Sequence, residues 1–201
     1  MISEIIFLYV IALLTSFLTN LTPVFAPPTW IVLFLYKVNN PELNSVVLAL
    51  FGVVGSVAGR FVMYLYSKIL GKHIPERFTT NTSYLREIMG KKRRGLFLGS
   101  FAYSLSPFPS NFLFIGSGIS GIEVLPILGG FAVGRTISYA SLVYGFYKFF
   151  TFLETSSLSP GIDNMRLLGN VVGILAAVSI IFVNWRRVFD RVKNAITIFS
   201  G

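Results

Sequence analysis

The chain has 201 residues, of which 54% are hydrophobic and only 12% charged, where an ordinary soluble domain is about a quarter charged. One soluble core of this size could not absorb so much apolar surface, so a bilayer is the expected solvent. The absence of cysteine excludes disulfides, thiolate metal sites and a cysteine nucleophile, and the net charge of +9 is clustered in a way that points away from nucleic acid.

Four apolar runs follow in chain order: Ile5 to Leu21, Val46 to Tyr66, Val124 to Tyr147 and Leu167 to Val183. Each is at or near the roughly 17 to 25 residues that a spanning helix needs. No basic segment precedes the first run and no small-residue cleavage site follows it, so it is expected to stay in the mature chain. Two readings of it remain open: a span that leaves Met1 inside, or the first arm of a hairpin that leaves Met1 outside.

The first break comes at Pro23, Pro27 and Pro28 in TPVFAPPTW, within a hairpin expected over 22–40. Proline removes a backbone donor and clashes with the preceding turn, so closely spaced prolines end a helix. The span Val46 to Tyr66 follows and closes a first half over 5–72. Within it, Gly55-x-x-x-Gly59-Arg60-x-x-x-Tyr64 is one copy of a motif.

Between Lys72 and Arg94 there are seven Lys/Arg against Glu76 and Glu87, and the only histidine, His73, is expected as a solvated loop residue. After Trp185 there are four more basic residues against Asp190, whereas 151–164 has none. By the positive-inside rule the basic loop at 72–94 and the C-terminus are expected to be cytoplasmic, and the expected location is the cell membrane of a prokaryote. The run Lys91-Lys92-Arg93-Arg94 could attract acidic lipids or serve topology alone.

The second half, over 95–150, opens with a hairpin expected at 96–121 and broken by Pro107 and Pro109 in SLSPFPSNF. Its arms, Leu96 to Leu105 and Asn111 to Ser120, are too short at about 1.5 Å per residue to cross a core of about 30 Å. A re-entrant hairpin fits, with its tip buried in protein or lining a wet cavity. The span Val124 to Tyr147 then carries the second copy of the motif, Gly130-x-x-x-Gly134-Arg135-x-x-x-Tyr139. With the basic loop inside, the halves have opposite orientations. The expected fold is all-α and polytopic, a single membrane domain over 1–201 built as an inverted repeat with two re-entrant hairpins and about three spanning helices. The last of these, over 165–185, ends at the anchor Trp185-Arg186-Arg187.

Arg60 and Arg135 lie inside apolar runs, where a charge costs at least about 2.5 kcal/mol and should face the protein interior or water. Anionic head groups, carbonyls freed at a hairpin tip, or hydroxyls such as Ser56 and Ser138 are the candidate partners; snorkelling to the interface is the plainer alternative. Gly55, Gly59, Gly130 and Gly134 read as small-xxx-small helix packing. Gly116, Ser117, Gly118 and Gly121 give only a weak phosphate signal. All eight acids fall at ends or in loops, and no metal-ligand set, phosphate-binding loop or Ser-His-Asp arrangement is present. No enzyme, metal or cofactor is expected.

Taken together, FLTNLTPVFAPPTWIVLF with GSVAGRFVMYLYSKILG, and YSLSPFPSNFLFIGSGISGI further on, resemble the DedA, or VTT-domain (SNARE-associated), family of membrane proteins over residues 5–150. Gly59, Tyr64, Lys68 and Gly71 carry the first match; Pro107, Phe108, Pro109 and Asn111 carry the second, with a one-residue slip. The resemblance implies facing re-entrant hairpins and movement of phospholipid or polyprenyl-phosphate lipids between leaflets, as a scramblase or lipid-phosphate flippase. Where proton-coupled relatives have carboxylates and arginines, this chain has Thr19, Thr29, Ser104 and Ser110, which favours uncoupled movement. The expected head-group path is Arg60, Arg135, Ser104, Ser110, Asn111, Thr19 and Thr29, and the expected partners are membrane lipids with anionic head groups, compatible with a homo-oligomer. A small-solute or multidrug exporter on the same fold is the main alternative, and a scaffold that recruits partners through its basic loop is a third.

Overall fold

The structure, a computed structural model, describes residues 2–22, 27–72, 93–105 and 110–155. Every element among them is an α-helix: α1 Ile2–Leu21, α2 Thr29–Asn39, α3 Ser45–Gly71, α4 Arg93–Leu105, α5 Asn111–Ser120 and α6 Val124–Thr155. Two stretches, Ser3–Leu21 and Ser45–Gly71, are long and apolar enough to cross a membrane. The helix expected over 165–185, residues 73–92 of the basic loop, and Pro23, Pro107 and Pro109 lie outside the described residues.

Local chemistry explains where the helices start and stop. Pro28 precedes α2 in an extended conformation, and its carbonyl accepts from the Ile31 amide at 2.9 Å, so the chain enters α2 at a residue that needs no donor of its own. Asn44 caps α3 by accepting from the amides of Val46 at 2.9 Å and Val47 at 3.2 Å. Between α2 and α3, the buried Lys37 donates to the carbonyls of Pro41 and Leu43, both at 2.6 Å, while its ammonium lies 4.4 Å from the centre of the Tyr147 ring of α6. One lysine thus holds the turn and docks it. At the end of α5, Gly121 takes φ 64°, where the Ile122 amide reaches the Ser117 carbonyl at 3.0 Å and the Gly121 amide reaches that of Gly118 at 3.0 Å. This is a Schellman stop that only glycine enters without strain. No proline or glycine follows Gly145 within α6, so the helix runs on to Thr155, beyond the apolar run that ends at Tyr147.

α1 and α2 fold back antiparallel. Partners on α1 recede as α2 advances: Asn20 meets Thr29 at 2.7 Å, Thr15 meets Tyr36 at 3.1 Å, and the Tyr9 hydroxyl accepts from the Asn44 amide at 2.7 Å. α3 and α6 are antiparallel too, since Tyr64 reaches the Ile122 carbonyl at 3.0 Å while Ser56, two turns earlier, meets Tyr139 at 3.3 Å.

The remaining packing comes in matched pairs. α1 lies along α3 as α4 lies along α6. A Cβ at Gly55 would strike the Leu13 carbonyl and Ser16, and one at Gly59 would strike the Phe17 carbonyl and Asn20. On the other side, a Cβ at Gly130 would meet the Phe97 carbonyl and Ser100, and one at Gly134 would meet Phe101 and Ser104. Each glycine pair therefore lets two helices touch at backbone distance. The second arms cross over: α2 packs on α6 through Trp30 and Phe146, whose rings are 5.1 Å apart, and α5 packs on α3 with Gly118 against Ser67.

Large apolar side chains face outward, and polar side chains are buried among the apolar core. Along α1, Phe7, Val10, Leu14 and Leu18 are exposed on one stripe, whereas Tyr9, Ala12, Ser16 and Asn20 are buried on the opposite one. Ser56, Arg60, Ser67, Ser100, Ser104, Ser110, Ser117 and Ser120 are buried as well.

Candidate functional site

Asn20, at the C-terminal end of α1, is the centre of a buried polar cluster. It is 2% exposed, and its amide nitrogen lies 2.8 Å from the Ser16 carbonyl, 2.7 Å from the Thr29 hydroxyl and 3.0 Å from the Ser56 hydroxyl. The amide has two hydrogens, so three close acceptors share it. Thr19 adds contacts to Thr29 and to the Asn20 amide, each at 3.4 Å. Ser56 passes the chain of hydrogen bonds to the Tyr139 hydroxyl on α6. One network therefore joins α1, α2, α3 and α6.

Arg60 stands one turn beyond Ser56 and is 6% exposed. Its Nη1 donates to the Asn20 carbonyl at 3.2 Å and lies 3.2 Å from the Met63 sulfur. The last carbonyls of a helix have no partner within it and carry partial negative charge. Arg60 and Tyr66, whose hydroxyl donates to the Leu21 carbonyl at 3.2 Å, satisfy two of them from the neighbouring helix. A carbonyl freed where a helix breaks is thus the partner Arg60 finds within the fold.

Arg135 occupies the matching place on α6 but is held differently. Its guanidinium carbon lies 5.4 Å from the centre of the Phe131 ring and 5.6 Å from that of Tyr139, one turn to either side. Arg60 and Arg135 are near enough to repel each other, and the Tyr103 hydroxyl lies in the field of both. Three buried polar side-chain atoms have no hydrogen-bond partner among the described residues: Ser16 Oγ, Arg60 Nε and Arg135 Nε. The two guanidinium atoms belong to this cluster, and Ser16 stands one turn before Asn20. Donors left unpaired in such a place cost free energy unless a ligand or water meets them.

The described carboxylates sit away from the cluster. Glu4 is in the first turn of α1 and Glu42 in the α2–α3 turn. Glu123 pairs with Arg93 at 2.9 Å near the start of α6. Among the described residues no group of His, Cys, Asp or Glu could hold a metal ion.

The structure brings Thr19, Thr29, Arg60 and Arg135 into this region. Ser104 is fully buried against Gly134, with its hydroxyl turned to the Phe101 carbonyl of its own helix at 2.8 Å. Ser110 is buried just before α5, which Asn111 opens half-buried. Pro27 is exposed and Pro28 half-buried in the break before α2. Ser138 turns to the Arg135 carbonyl at 3.4 Å, so it does not serve the guanidinium. Sequence reasoning missed Asn20, Ser16, Tyr139 and Tyr103. A signal for two of them was present: Ser16-Phe17-x-x-Asn20-Leu21-Thr22-Pro23 parallels Ser100-Phe101-x-x-Ser104-Leu105-Ser106-Pro107. The matched serines and phenylalanines meet matched glycines in the fold.

Comparison of the chain with family models, with curated proteins and with solved structures gives no match.

Proposed function

We propose that this chain is a polytopic membrane protein that moves lipids between leaflets, as a scramblase or lipid-phosphate flippase, without covalent chemistry. The observation that carries the proposal is the pair of arginines: each has a buried, unpaired Nε, no described carboxylate neutralises them, and both lie where two matched sets of helices meet. Such a place suits an anionic head group that arrives with its own acceptors.

Other features support the same reading. Only 22% of the most apolar 18 residues of Ser3–Leu21 and 50% of those of Ser45–Gly71 is buried, so large apolar side chains such as Phe7, Leu18, Val54 and Leu65 face outward. In water that surface would exceed what a soluble monomer exposes; in lipid it needs no cover. Antiparallel α3 and α6, with second arms exchanged between them, suit an inverted repeat whose broken helices are re-entrant. Head groups would follow the hydroxyls and guanidinium groups while acyl chains stay outside. We assign the chain on this basis to the DedA-like proteins that its sequence resembles; Tyr64 bonded to the Ile122 carbonyl and Gly71 against Ile119 give two of the motif residues a packing role. A proton-driven small-solute exporter has less support, because the cluster holds no described carboxylate to bind a proton or a cationic drug.

Reconstitution in liposomes with a fluorescent phospholipid tests the proposal. Wild-type vesicles should lose inner-leaflet fluorescence to an external quencher, and Arg60→Ala and Arg135→Ala vesicles should lose it slowly. Equal loss in all vesicles, protein-free ones included, would sink it.

A further inference from the structure

The two arginines occupy matched positions, yet their surroundings differ. Arg60 has a structural task within the fold: its Nη1 closes the Asn20 carbonyl at the end of α1, and the Asn20 side chain ties that end to Thr29 and Ser56. In the other half Ser104 stands where Asn20 stands, and its hydroxyl bonds only within α4. Arg135 lies instead between Phe131 and Tyr139, at 5.4 and 5.6 Å from the ring centres, contacts that do not use its N–H donors. It is also the less buried of the two.

We infer that Arg135 is the residue that binds the anionic group, with Arg60 a positioning residue that caps α1 and adds field. The ligand chemistry is a phosphate carrying net negative charge: Arg135 keeps a buried, unpaired Nε with no described carboxylate beside it, and a planar guanidinium matches two oxygens of a phosphate. A zwitterionic head group brings an ammonium that the second cation repels. This assignment rests on the proposed lipid-handling role for its biological ligand, but binding can be measured apart from transport.

The experiment uses the full chain in detergent micelles, with dioleoyl phosphatidic acid as probe and dioleoyl phosphatidylcholine as control. Thermal unfolding is followed with and without lipid for wild type, Arg135→Gln, Arg60→Gln and Arg60→Lys. Phosphatidic acid should raise the wild-type Tm, and the control should not. Arg135→Gln should keep the ligand-free Tm and bind phosphatidic acid about tenfold more weakly or worse. Arg60→Gln should lower the ligand-free Tm by several degrees. Arg60→Lys, which retains a charged donor for the Asn20 carbonyl, should keep more of the phosphatidic acid binding than Arg135→Gln does. The inference is overturned if Arg60→Lys loses binding while Arg135→Gln keeps it, or if no variant differs. Absence of wild-type binding alongside active lipid exchange in liposomes would overturn it while leaving the transport proposal standing.

Discussion

The Arg60 guanidinium donates to the main-chain oxygen of Asn20 at 3.2 Å, so a cation carried by α3 terminates α1. The same asparagine sends its side chain to Thr29 and Ser56. End and side chain together fix the place where the chain leaves α1 and returns as α2. Asn20→Ala should remove the side-chain bonds to Thr29 and Ser56, lowering stability by about 1–3 kcal/mol. Denaturant or thermal unfolding in micelles measures this; a variant as stable as the wild type would show the network to be incidental.

Ser56 and Tyr139 stand 83 residues apart in sequence and form a hydrogen bond between α3 and α6. Tyr139→Phe should cost about 0.5–1.5 kcal/mol, and a double-mutant cycle with Ser56→Ala should return a coupling of the same sign. Additive single effects would mean that the two hydroxyls do not bond.

The glycines divide sharply by what a side chain would meet. At Gly59 an added Cβ would lie 2.6 Å from the Phe17 carbonyl, whereas at Gly116 and Gly145 nothing stands within 4 Å. Gly59→Ala should therefore destabilise by about 1–3 kcal/mol as α1 is pushed off α3. Gly116→Ala should be neutral or stabilising by up to about 1 kcal/mol through helix propensity. The order of the two melting temperatures checks the close packing of α1 on α3.

Because the chain has no native cysteine, paired substitutions report distances without background. Thr19 and Thr29 place their hydroxyls 3.4 Å apart across the fold-back of α1 and α2. Thr19→Cys with Thr29→Cys should form a disulfide on mild oxidation, visible as a mobility shift that reductant reverses. Leu14→Cys with Thr29→Cys, in which the Leu14 side chain faces away, should not.

The helices and their breaks were legible because proline chemistry and long apolar runs act locally: Leu105 and Asn111 bound the second break where Pro107 and Pro109 predict it. The meeting of the two halves was not legible. Asn20 lies at the end of an apolar run, and nothing in its neighbours shows that Arg60, Thr29 and Ser56 converge there. The Arg135 environment was hidden for a different reason: a one-turn spacing of Phe131, Arg135 and Tyr139 reads as ordinary helix until the fold shows which face turns inward. The different surroundings of Arg60 and Arg135 trace to several exchanges between the matched segments, Asn20 for Ser104 and Ser56 for Phe131 among them.

The most direct test of a membrane protein with a polar interior uses neighbouring residues of α1 that face opposite ways. Leu18 is 59% exposed on the apolar stripe, and Thr19 is half-buried beside Asn20. In the reconstituted protein, Thr19→Cys should react with a small membrane-impermeant thiol reagent, and Leu18→Cys should resist it because lipid covers that face. Fast labelling of Leu18→Cys with Thr19→Cys protected would contradict the account, since it would place water outside the helices and leave the arginine cluster dry.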